Sequence, residues 1–63
     1  MTICMTNGGV YANVSSINDR DVSEFNRESL IEMLEHDTSI YIVLNSGQTA
    51  ILRISCISSI NYF

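Results

Sequence analysis

The sequence predicts an α+β fold. We read residues 1–63 as a single small domain, with one amphipathic helix packed on a mostly antiparallel sheet of about four or five strands in the order β(β)-α-β-β-β. Three observations carry this. Helical periodicity is confined to one stretch, residues 22–36. The segments on either side are rich in β-branched and aromatic residues and are interrupted by Asn-Gly-Gly and Asn-Ser-Gly. The chain is 46% apolar and has no proline, so it has the means to build a core and no obligatory breaks within its elements.

Taken in order, Met1–Thr6 reads as a first short strand. Asn7-Gly8-Gly9 is a turn, because asparagine and glycine accept positive φ, and Val10–Val14 reads as the returning strand. Ser15–Arg20 is polar and reads as a loop. Asp21 is followed three residues later by Glu24, the spacing of a capping box, and predicts a helix from about 22 to 36. At 100° per residue, Val22, Phe25, Leu30, Met33 and Leu34 share one arc, with Asp21, Glu24, Glu28, Glu32 and Glu35 on the opposite side. Thr38–Leu44 is a strand apolar on both faces, Ile40, Ile42 and Leu44 on one and Tyr41 and Val43 on the other. This predicts a central strand, or one covered on its second face by another subunit. Asn45-Ser46-Gly47 is a hairpin loop, Gln48–Ser55 the return strand, and Cys56–Phe63 a last strand after a bend. The adjacent Tyr62 and Phe63 predict that this last strand docks.

Charge is segregated. All seven carboxylates lie between residues 19 and 37, against only Arg20 and Arg27, so that segment carries −5 within a chain of net −4. Arg53 is the one other charged residue, and there is no lysine. Three arginines are too few to neutralise a run of phosphates, so direct nucleic-acid binding by a monomer is not expected. No apolar run approaches the roughly 20 residues of a membrane-spanning helix, and no export signal is read, which together predict a cytoplasmic protein. A domain near this size buries only about 60% of the surface its unfolded chain exposes, which favours oligomerisation as added support. Tyr41, Val43, Tyr62 and Phe63 are the candidate oligomer interface. A Cys4–Cys56 bridge would join the first strand to the last; the favoured reading is two buried free thiols.

Catalytic chemistry finds little support. There is one histidine, His36, with no acid–histidine–serine pattern around it, and Gly8-Gly9 lacks the lysine and helix of a phosphate loop. Glu28, Glu32 and His36 step by four along the helix, a thin metal-ligand pattern; the favoured reading is a histidine stabilised by the helix C-terminus and by Glu32. No enzyme activity, cofactor or metal is therefore expected. Asn13-Val14-Ser15 spells a glycosylation triplet without an export signal. The best functional candidate is the acidic ridge of Asp21, Glu24, Glu28, Glu32 and Glu35. The plain reading of these residues is a solvated polar face, which every surface helix needs; against it, a solvated helix commonly mixes charge signs at i, i+4, whereas this one stacks like charges. Its carboxylates, about 6 Å apart along the axis, suit a cationic groove on a partner, such as a nucleic-acid-processing enzyme.

Two likenesses add alternatives. Ser39-Ile40-Tyr41-Ile42-Val43-Leu44-Asn45-Ser46-Gly47, just after a helix, is similar to the helix-then-strand opening of bacterial Sm-like RNA chaperones. That resemblance implies a ring- or dimer-forming nucleic-acid-binding protein with Arg53 and strand aromatics at a shared surface. It departs from the family in having 26 residues after position 37, where five strands are needed, and in lacking the basic residues apart from Arg53. In size and acidity the chain also looks like the small inhibitors that phages make against host DNA enzymes. The function expected is thus a small acidic protein-interaction module, an inhibitor mimicking nucleic-acid charge in its sharpest form. A structural assembly subunit is the third reading.

Overall fold

The computed structural model describes residues 1–62; Phe63, placed above in the candidate oligomer interface, lies outside the described residues. Seven strands and one α-helix form two antiparallel sheets: β1 (Thr2–Met5), β2 (Val10–Tyr11), β3 (Val14–Ile17), β4 (Arg20–Asp21), α1 (Arg27–His36), β5 (Ser39–Leu44), β6 (Thr49–Arg53) and β7 (Ile57–Asn61). One sheet has the order β2-β1-β7 and the other β4-β3-β5-β6. This is the α+β architecture expected, with the strands shorter, more numerous and divided between two sheets.

The two glycine turns fold as read. Gly8 sits at φ 91°, the Met5 amide donates to Gly9 O at 2.7 Å, and the Asn7 side chain accepts from the Gly9 amide at 2.8 Å. This closes β1 on β2 with Ile3 opposite Tyr11. Gly47 is also at φ 91°, and the Leu44 amide donates to Gln48 O at 2.8 Å, closing β5 on β6. β5 lies inside its sheet, between β3 and β6, as its two apolar faces predict.

The stretch 15–20 is not a loop. Val14–Ile17 is a strand, and Asn18 and Asp19, at φ 52° and 64°, form a two-residue turn that pairs Ile17 with Arg20. Two positive-φ residues in a two-residue loop match the twist of a hairpin, and asparagine and aspartate tolerate them without glycine. The strand is hard to read because its register on β5 shifts between Val14 and Ser16, so Val14 and Ile17 both point inward, breaking the alternation of two.

The helix is also shorter than predicted, Arg27–His36 in place of 22–36. Asp21 does cap a turn, accepting from the Ser23 amide at 2.9 Å, but that turn is a single 3-10 turn, Val22–Glu24. Phe25 then becomes extended, which carries its ring into the core. The chain restarts at Asn26 with a reciprocal box: Asn26 Oδ1 accepts from the Ser29 amide at 2.8 Å, and Ser29 Oγ accepts from the Asn26 amide at 2.9 Å. The apolar arc packs as its periodicity predicts: Phe25 and Leu30 are buried, and Val22, Met33 and Leu34 pack against the core.

The core is Ile3, Val14, Ile17, Phe25, Leu30, Ile40, Ile42 and Leu52, which draws on both sheets and the helix. Each such side chain is worth about 1.5–3 kcal/mol when fully buried. β7 runs antiparallel to β1, pairing Thr2 with Asn61 and closing the two ends of the chain together. Just beyond it, the Tyr62 hydroxyl donates to the Phe25 carbonyl, so the docking expected of this residue is made within the chain. Both cysteines are free thiols, Cys4 half-buried and Cys56 exposed, which corrects the expectation that both are buried. Cys56 sits in the 3-10 turn before β7, where its carbonyl accepts from the Thr6 amide at 2.8 Å and its side chain is left outside.

Candidate functional site

The acidic segment is built by two local devices. The Asn26 box starts α1 in the phase that turns Leu30 inward. Glu28, Glu32 and Glu35, three or four residues apart, therefore all lie on the exposed side of the helix. At 1.5 Å rise per residue, the first two are about 6 Å apart along the axis. Glu24 and Asp21 are also exposed but precede the helix. The extended backbone at Phe25 breaks the helical phase, so the single five-carboxylate ridge is replaced by three carboxylates on α1 and two on the segment leading into it.

Asp21 has a structural role of its own. The Ser23 amide and then the Ser23 hydroxyl donate to its carboxylate, which holds its pKa below the ordinary aspartate value against a small opposing effect of burial. The cations of the segment are separately placed. The Arg20 guanidinium lies 4.7 Å from the centre of the Phe25 ring, a cation–π contact, and Arg27 opens the helix. His36 occupies the last turn of α1.

Beside the acidic face runs a shallow groove of about 370 Å³ lined by residues that include Asn18, Arg20, Glu32, Met33, His36 and Asp37. Asn18 ties its wall together: its side chain accepts from the Tyr41 amide at 2.9 Å and donates to Asp37 at 3.4 Å. Among the described residues no three His, Cys, Asp or Glu side chains converge as a metal site.

The candidate interface residues fall in two places. Tyr41 and Val43 share the outer face of β5, opposite Ile51 and Thr49 of β6. Tyr41 is 37% exposed and Ile51 74% exposed. Tyr62 stands apart, half-buried beside Phe25 at the end of the other sheet. Ile51 was not singled out from the sequence, although its position between Thr49 and Arg53 on the outward face is legible there.

No family model matches this chain, and no curated protein or solved structure proves similar to it. The Sm-like resemblance can be set against topology alone. Among the described residues three strands follow α1, where that resemblance implies five, and four precede it. No described helix is long and apolar enough to cross a membrane.

Proposed function

We propose that this chain is a small, non-enzymatic protein-interaction module of the cytoplasm that binds a cationic surface through its acidic segment, as a mimic of nucleic-acid charge would. The observation that carries this reading is the placement of Glu28, Glu32 and Glu35 on the exposed side of α1, with no cation interleaved among them. Like charges at this spacing cost a few tenths of a kcal/mol per pair in the free protein. A partner that supplies arginine or lysine relieves that repulsion and gains oriented attraction, which raises the association rate. Glu24 and Asp21 extend the charged surface from the segment before the helix. The mimicry supports an inhibitory role, in which a basic groove of a nucleic-acid-processing enzyme is occupied.

The test is capture from the natural host with the wild-type protein and with Glu28→Gln/Glu32→Gln as baits. The wild type is expected to retain a basic protein whose binding weakens steeply with salt, and the double variant to bind it at least about ten-fold more weakly with a flatter salt dependence. Equal retention and equal salt dependence on both baits would remove the acidic face from the function. Retention of the wild type on heparin would favour a direct nucleic-acid binder instead.

A further inference from the structure

We infer that β6 is a self-pairing edge, through which two copies of this chain join their four-stranded sheets antiparallel about Ile51. β6 is the terminal strand of the order β4-β3-β5-β6, and among the described residues β5 is the strand it pairs with. The phase of its hydrogen bonding is set by its neighbours. The Leu44 amide donates to Gln48 O at 2.8 Å and the Ile54 amide to Thr38 O at 2.9 Å. Hydrogen-bonded pairs alternate along an antiparallel ladder, so Ala50 and Leu52 spend their backbone groups on β5. Thr49, Ile51 and Arg53 turn theirs to the open edge.

This edge is complementary to itself. In a two-fold antiparallel pairing centred on Ile51, that residue faces its own copy and Thr49 faces Arg53 of the second copy. All three residues with outward backbone groups then find partners. Tyr41 lies across from Ile51 within each sheet, so the pairing continues one row of apolar side chains, Tyr41–Ile51 and then Ile51–Tyr41, over the outer face of the joined sheet. Both residues are exposed in the single chain, Ile51 at 74%.

Charge permits the contact. β6 carries no acid, and all seven carboxylates lie in residues 19–37, outside the strand. The two Arg53 residues would stand four strand positions apart, about 14 Å, beyond the screening length of about 8 Å at physiological salt. The devices that usually blunt an edge are scarce here. There is no lysine or proline in the chain, and the register of β6 on β5 shows no bulge. A second copy is favoured over an unrelated strand because the same register satisfies both partners with no like charges opposed. A five-residue strand is about 17 Å long, so the contact belongs to the weak class below about 1,200 Å².

This inference is independent of the acidic-face reading, and salt separates them. Both copies carry −4, so added salt should strengthen self-pairing while it weakens binding of a cationic partner. Sedimentation equilibrium from about 10 µM to about 2 mM is expected to show a monomer–dimer equilibrium, and Ile51→Lys to raise the dissociation constant at least about ten-fold. Ser58→Lys, on the exposed edge-strand β7, should leave it unchanged. Register is read by cross-linking in a Cys4→Ser/Cys56→Ser background. Facing residues of a hydrogen-bonded pair have Cα atoms about 5.5 Å apart, within disulfide reach. Ile51→Cys should therefore oxidise to a dimer alone, and Thr49→Cys should couple to Arg53→Cys on mixing. A wild type that stays monomeric throughout, an Ile51→Lys variant that dimerises as well as wild type while its circular dichroism is unchanged, or a dimer lost on Ser58→Lys would each overturn the proposal.

Discussion

At the scale of single residues, Asn18 holds more of this structure than its exposed position suggests. Its backbone is at φ 52°, its amide donates to Tyr41 O at 2.7 Å, and its side chain joins the β3–β4 turn to β5 and to Asp37 at the end of α1. Alanine at this position would meet the left-handed backbone cost and lose the side-chain bonds. Asn18→Ala is expected to destabilise the protein by about 2 kcal/mol, read by urea denaturation. Asn18→Gly removes the backbone cost and keeps the loss of bonds, so it should lie closer to wild type; equal losses in the two variants would show that backbone conformation contributes nothing. The sequence marks Asn18-Asp19 as polar, which is why the stretch reads as a loop. That both residues adopt positive φ depends on Ile17 and Arg20 being held opposite one another, a condition outside the dipeptide.

At the scale of the element, α1 shows how a capping signal is legible while its position is not. Two boxes compete within nine residues, Asp21-x-x-Glu24 and Asn26-x-x-Ser29. Only the second begins an α-helix, because Phe25 between them is required in the core and leaves the helical backbone to reach it. Removing the second box by Asn26→Ala should cost about 1 kcal/mol, or about 4–8 °C in thermal midpoint for a domain of this size. A thermal scan followed by circular dichroism checks it, and an unchanged midpoint would show that the box does not hold the helix start. The acidic residues were legible in type and in number. Their partition into three on the helix and two before it was not, since the helical wheel assumes one uninterrupted helix.

At the scale of the whole molecule, the chain is closed by pairing its ends and not by a covalent link. β1 meets β7 along Thr2–Met5, with both cysteines free. The thermal midpoint should therefore be the same with and without a thiol reductant; a fall on adding reductant would reveal a disulfide in solution. The two-sheet arrangement also distributes the apolar residues. Eight side chains form the core, and the surplus is placed partly on the outer face of β5 and β6, at Tyr41 and Ile51. Tyr62, grouped with the candidate interface from the sequence, has its hydroxyl bonded to the Phe25 carbonyl across the fold.

The sequence by itself determined the class of fold, the two glycine turns, the apolar arc of the helical segment, and the confinement of acid to residues 19–37. These follow from propensities, periodicity and turn chemistry, which act over a few residues and can be read in place. The tertiary structure decided the division into two sheets, the break at Phe25, the bulge that turns both Val14 and Ile17 inward, and which strands stand at the sheet edges. Each of these depends on which distant segment lies opposite. A strand's partner is chosen by the total burial of the assembled core, and no local pattern of side chains records that choice.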